Sequence, residues 1–180
     1  MEERMISSKM IGYGVHLLSD LVNKIVRICL FITASSFALL IFCGVVFRYV
    51  IKHPLMFSVE ISKLLFIWSA FLGVTVAYKE KKHIRFQFLN LTLNKRLLHW
   101  NEWFIRLCGL LFFSITLFHA IRFTRVVWPT FFPVLNLSQG WLYVGLVVAL
   151  CILIVHSIDL LLEAINSLKE DDLETKKEKV

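Results

Sequence analysis

The stretch FRYVIKHPLMFSVEISKLLFIWSAFLGVTVAYKEKKHIRFQF, Phe47–Phe88, decides how the chain is read. It opens on a charged hairpin, Arg48 to Lys63, continues as an apolar helix and ends in a basic cluster, Lys79 to Arg85. The run Leu64–Tyr78 carries no formal charge. With the partly polar turn from Ser58 it reaches the roughly 20 helical residues that cross hydrocarbon. Pro54 cannot lie inside a helix begun upstream, and it suits a turn or a first helical turn. Ser58 is therefore expected to cap the helix, with Glu60 in its first turn at the positive end of the dipole. Glu60 shares a face with Lys63 and lies a short turn from Arg48, so an ion pair with one of them is expected, either holding the hairpin or meeting a partner. Ser69, Gly73 and Ala77 recur every four residues, a stripe that lets a second helix come close in lipid, where packing drives association.

Composition points the same way. Of 180 residues, 58% are hydrophobic, against about 45–50% in an average soluble domain. The net charge of +7 is read as basic loops facing anionic lipid rather than as a nucleic-acid surface. Cys29, Cys43, Cys108 and Cys151 all fall in apolar runs and make no C-x-x-C pair. They read as buried thiols.

Outward from the central stretch, the chain divides into three parts. Residues 1–26 form an amphipathic segment, with Leu17, Leu18, Leu21 and Ile25 on one face and His16, Ser19, Asp20 and Asn23 on the other. It is expected to lie in the membrane interface and run into the first span. Residues 27–165 are a four-helix membrane domain, with spans near 28–50, 58–79, 98–125 and 139–163 and an interfacial helix near 84–93. Pro129 and Pro133 end the third span, and Trp100, Trp103, Trp128 and Trp141 stand where aromatic anchors collect at the headgroups. Residues 166–180 are a charged tail. The fold class is thus an all-α integral membrane protein of four transmembrane helices plus amphipathic interfacial helices. Lys and Arg are dense at both termini and between spans two and three, and sparse in the other two loops. That asymmetry puts both termini in the cytoplasm.

Intramembrane ionisable groups mark function by default, and few are present. His119 and His156 have the residue type of haem ligands, but they sit roughly 15 Å apart in depth if their spans run antiparallel. One iron cannot take both. His156 and Asp159, three apart, are expected to pair locally. The sequence shows no metal-spaced cluster, Gly-rich phosphate loop or nucleophile–base motif. No catalytic, substrate-binding, metal or cofactor residue is assigned, and the chain is not read as an enzyme.

Phe47-Arg48-Tyr49, Pro54-Leu55, Glu60, Trp68, Gly73 and His83-Ile84, in that order, resemble the small membrane subunit of tripartite ATP-independent periplasmic (TRAP) transporters, the DctQ-like family. Phe57 and Val59 depart from it, standing where the family has Trp and a first Glu. The resemblance implies a non-catalytic subunit in a bacterial inner membrane. Its implied partners are a large many-helix permease, expected to hold the substrate and sodium sites, and a periplasmic binding protein that delivers an organic acid such as a C4-dicarboxylate or sialic acid. The chain itself is then expected to scaffold the large, elevator-type subunit. Arg48, Glu60, Lys63, Trp68, Ser69, Gly73, Ala77 and His83 are the candidate interface or structural residues. Two other readings stay open: a self-associating four-span exporter or channel, and a haem-bearing redox subunit.

Overall fold

Long uncharged runs punctuated by proline build helices, and among the described residues the chain is almost wholly helical. The structure is a computed structural model that describes residues 2–80 and 95–177, with side chains for 13–80, 101 and 103–165. Four helices follow in order: α1 Glu2–Tyr49, α2 Met56–Glu80, α3 Lys95–Val127 and α4 Gly140–Lys177. Each contains a segment long and apolar enough to cross a membrane: Tyr13–Tyr49, Met56–Glu80, Trp103–Val127 and Gly140–Ile165. Among the described residues, the β structure amounts to one isolated bridge, Phe131 to Ser138.

Two boundaries differ from expectation. The amphipathic segment 1–26 is no separate element: it is the first half of α1, which runs 48 residues without a break, about 72 Å at 1.5 Å per residue. No Gly or Pro signal separates the two halves strongly enough to end a helix. α2 begins at Met56, so Ser58 is not its cap. The Ser58 hydroxyl turns back and donates to the Leu55 carbonyl at 2.7 Å, and the Ser58 amide donates to the same oxygen at 3.1 Å. The interfacial helix expected at 84–93, His83, the Trp100 side chain and the side chains of the 166–180 tail lie outside the described residues.

α4 is the hub, packing against α1, α2 and α3, while α1 also packs along α2. Two apolar clusters hold the seams. Val26, Leu72 and Val76, with Val22, Leu30 and Ile152 around them, join α1, α2 and α4. Ala120, Leu150 and Leu153, with Tyr78, Phe113 and Leu117, join α3 and α4 to α2. The largest side chains turn away from these seams: Phe31, Phe42, Phe112 and Ile115 are all exposed. That is the pattern of helices solvated by lipid, where small residues pack inside and bulky ones face the tails. Contacts between Gly44 and Ser58 at one end, and between Ser19, Lys79 and His156 at the other, set the helices antiparallel. The 50–55 and 128–139 loops therefore share one end of the bundle.

Candidate functional site

The 128–139 loop is short, and its backbone groups need hydrogen-bond partners. Pro129 and Pro133 supply no amide hydrogens. Phe132 donates to the Leu137 carbonyl at 2.9 Å and Gln139 to the Thr130 carbonyl at 2.8 Å, which closes a small hairpin. Asn136 takes φ 53° at its turn, a left-handed conformation that Asn tolerates better than most residues. Two consecutive amides at the tip then point outward, and Glu60 of α2 accepts both: Val134 N to Oε1 at 3.1 Å and Leu135 N to Oε2 at 2.8 Å. This corrects the expected ion pair with Arg48 or Lys63. Both cations are exposed, and the carboxylate, one turn inside α2, faces the loop instead. Glu60→Gln keeps the shape but sets an amide NH2 against a backbone N–H. It should lower stability by about 1–2 kcal/mol, whereas Arg48→Gln and Lys63→Gln should each stay within about 0.5 kcal/mol. Thermal unfolding in detergent, followed by circular dichroism, checks this. Equal losses for Glu60→Gln and Arg48→Gln would restore the ion pair.

Beneath the loop, Trp68 crosses from α2 to α4. Its indole Nε1 donates to the Trp141 carbonyl at 2.9 Å. The ring lies on Gly145, whose missing Cβ would stand 3.1–3.2 Å from three indole atoms. Ser138 accepts from the Gly140 amide at 3.0 Å and donates to the Trp128 carbonyl at 2.6 Å, fixing the turn into α4. Trp128 and Trp141 rings sit 6.2 Å apart at this end and are partly exposed. The Ser69–Gly73–Ala77 stripe is half-buried. A Cβ at Gly73 would rest 3.9 Å from Leu30 of α1, an ordinary contact, so the tighter approach falls at Gly145 and not within that stripe. Trp103 is half-buried on α3.

The opposite end holds a polar network. Lys79 of α2 donates to Ser19 Oγ at 2.8 Å and reaches Asp20 Oδ1 at 2.5 Å, both on α1. Asp20 also pairs with His16 one turn earlier at 3.2 Å. Ser19 Oγ in turn lies 2.9 Å from His156 Nδ1 of α4. Lysine has only hydrogens to give. With the Ser19 oxygen accepting from Lys79, its own hydrogen is free for Nδ1, and the ring hydrogen then belongs on Nε2. Arg27 and Glu80 pair at 3.5 Å on the rim, and Arg106 of α3 donates to the Leu160 carbonyl of α4. All four helices are thus stitched together at this level. The expected His156–Asp159 pair does not form: Nδ1 faces Ser19, and Nε2 meets no protein acceptor.

Ser19 and His156 have the residue types of a nucleophile and its base. Their exposures of 0% and 1%, together with the lysine on the hydroxyl, make them a tie between helices rather than a reactive pair. His119 belongs to the loop half of α3 beside Arg122 and Tyr143, far along the bundle from His156, so the two do not converge on one iron. Among the described residues, no group of three or more His, Cys, Asp and Glu side chains is placed to hold a metal ion. Ser19 and Asp20 stand on the polar face of the amphipathic segment expected in the interface, and interfacial placement alone does not point to partners on α2 and α4. The available signal was their 3.6-residue register with His16 and Asn23, on a helix that continues straight into a span.

The model of the family described as tripartite ATP-independent periplasmic transporters, DctQ component, matches residues 37–167. A Haemophilus influenzae Rd protein, carried under the provisional name TRAP transporter small permease protein, is 36% identical over 67 residues, 37% of this chain and 42% of that one. The sialic acid TRAP transporter permease protein SiaT of H. influenzae 86-028NP is 32% identical over 103 residues, 55% of this chain and 16% of that one. The chain thus spans less than half the length of either relative it matches.

Proposed function

The chain belongs to the DctQ component family of TRAP transporters, as a small permease and multi-pass membrane protein, and from that membership we propose that it works as a fixed brace for a larger permease. In this reading the large subunit carries an organic acid, of the C4-dicarboxylate or sialic acid class, together with sodium. A periplasmic binding protein delivers the acid, and this chain holds the moving subunit's scaffold against an inner membrane. The observation that carries the proposal is the pair of polar ties at opposite ends of the bundle. The Glu60 clamp fastens α2 to the 128–139 loop, and the Lys79 network fastens α1, α2 and α4. Helices tied at both ends, with bulky apolar side chains turned outward, suit a part that stays still and offers surface to a neighbour.

One comparison and one sequence argument support it. The stretch shared with SiaT is about one-sixth of a far longer permease, so a segment like this one occurs within a single polypeptide alongside a larger transport unit. In this reading the Lys and Arg density at both ends and between spans two and three sets the chain ends in the cytoplasm by the positive-inside rule, and the 128–139 loop would then face a periplasmic binding protein.

Co-expression with candidate large permeases, followed by co-purification and uptake of a panel of acids into vesicles, tests the proposal. Uptake should require both chains and the binding protein, and vesicles holding this chain alone should show no flux. Flux through the chain alone, or full transport without it, overturns the brace.

A further inference from the structure

Along the seam of α3 and α4, in the half nearer the 128–139 loop, runs an open groove of about 620 Å3. Thr116, His119, Arg122, Phe123, Tyr143 and Leu146 are among its walls. A smaller groove of about 420 Å3, on the opposite flank of α3, carries Arg125 and Trp128. We propose that the larger groove is a binding site for one glycerophospholipid, with the phosphate held by the Arg122 guanidinium and an acyl chain laid along Phe123 and Leu146.

The charge is the first argument. Arg122 lies five residues before the end of α3 at Val127, about 8 Å down the helix axis. It falls inside the segment Trp103–Val127, long and apolar enough to cross a membrane, where an unneutralised guanidinium is costly. Among the described residues, the ion pairs His16–Asp20, Arg27–Glu80 and Lys79–Asp20 lie elsewhere. What Arg122 has is the face of Phe118, 5.6 Å from the ring centre, a contact that leaves its N–H fork free. A phosphodiester matches that fork with two parallel hydrogen bonds.

The shape is the second. His119 and the Tyr143 hydroxyl bring further polar groups to the same groove, while Phe123, Val126 and Leu146 make the rest of the wall apolar. Only an amphiphile satisfies both halves of that lining at once. A free phosphate gains nothing from the apolar wall, and a hydrocarbon chain gains nothing from the arginine. The Arg122 guanidinium lies over Phe118, one turn toward the middle of α3, so the phosphate is drawn to that level of the groove, with Phe123, Val126 and Leu146 as its apolar flank.

The full chain, purified in detergent and stripped of lipid, is titrated with palmitoyl-oleoyl phosphatidylglycerol and followed by native mass spectrometry. One lipid should be retained. Arg122→Gln should weaken its binding at least about tenfold, and Arg122→Lys should lose less, since the charge remains but the fork is gone. Equal retention by Arg122→Gln overturns the site, as does full displacement of the lipid by inorganic phosphate, which would mark a plain anion site. A second measurement needs no variant: a phosphatidylglycerol with a photoreactive headgroup should label peptides spanning 116–126 and 143–146. Labelling concentrated elsewhere, on α1 or α2, also overturns it.

Discussion

Lys79→Met is expected to lower the stability of the folded chain by about 2–3 kcal/mol, one of the two largest losses from a single polar or glycine substitution. Methionine fills much the same space and keeps the apolar stem, so packing changes little. What disappears is the donor to Ser19, which is wholly enclosed, and the counter-ion of Asp20. The ion pair alone does not account for the figure, because the Asp20 side chain is 52% exposed and keeps His16. The larger share comes from the enclosed hydroxyl and the imidazole beyond it, whose hydrogen-bond chain loses its first member. Unfolding in detergent, read by circular dichroism, gives the loss. A double-mutant cycle with Ser19→Ala tests the chain itself. The double variant should cost clearly less than the two singles added together, and strict additivity would mean that Lys79 and Ser19 act separately.

Gly145→Leu is expected to cost about 3 kcal/mol. A single Cβ already comes within 3.1 Å of the Trp68 ring, closer than carbon and indole atoms rest. Three more carbons must displace the ring and break its hydrogen bond to the Trp141 carbonyl. A size exchange separates crowding from any helix-propensity effect. Gly145→Leu combined with Trp68→Ala should recover part of the loss, since the leucine then occupies the space the indole leaves. Gly73→Ala is the control. With 3.9 Å to Leu30, it should be neutral or gain up to about 1 kcal/mol from the better helix former. A loss at Gly73→Ala matching that at Gly145→Leu would show that any glycine replacement harms these helices.

The membrane helices were legible because burying a backbone in lipid leaves few solutions. Twenty uncharged residues between Arg27 and Arg48, or the prolines after Trp128, admit little besides a helix and its end. α2 runs Met56–Glu80 and α3 Lys95–Val127. Side-chain partners were less legible, since they depend on which helices become neighbours. Glu60 has two cations nearby in sequence and chose amides 74 and 75 residues away; a turn's free N–H groups carry no residue signature. Gly145 was overlooked because a lone glycine in an apolar helix looks the same whether it meets lipid or an indole. The polar face of α1 is split: His16 and Asp20 are half exposed, while Ser19 is enclosed against α2 and α4. In an ordinary surface helix such a stripe meets water; here Ser19 is enclosed and Leu17, Leu18, Leu21 and Ile25 are exposed. Periodicity reports that a helix has two sides without saying what lies on each.

The split face of α1 bears on how the chain is made. Ser19 and His156 lie 137 residues apart. At about 5–20 residues per second, a ribosome takes roughly 7–27 s to bridge that gap. Until α4 emerges, Ser19 has Lys79 of α2 but not the imidazole that completes the network. A polypeptide cut short before its last helix leaves Ser19 without its His156 partner, so the seam of α1 and α2 is complete only when the final span has been made.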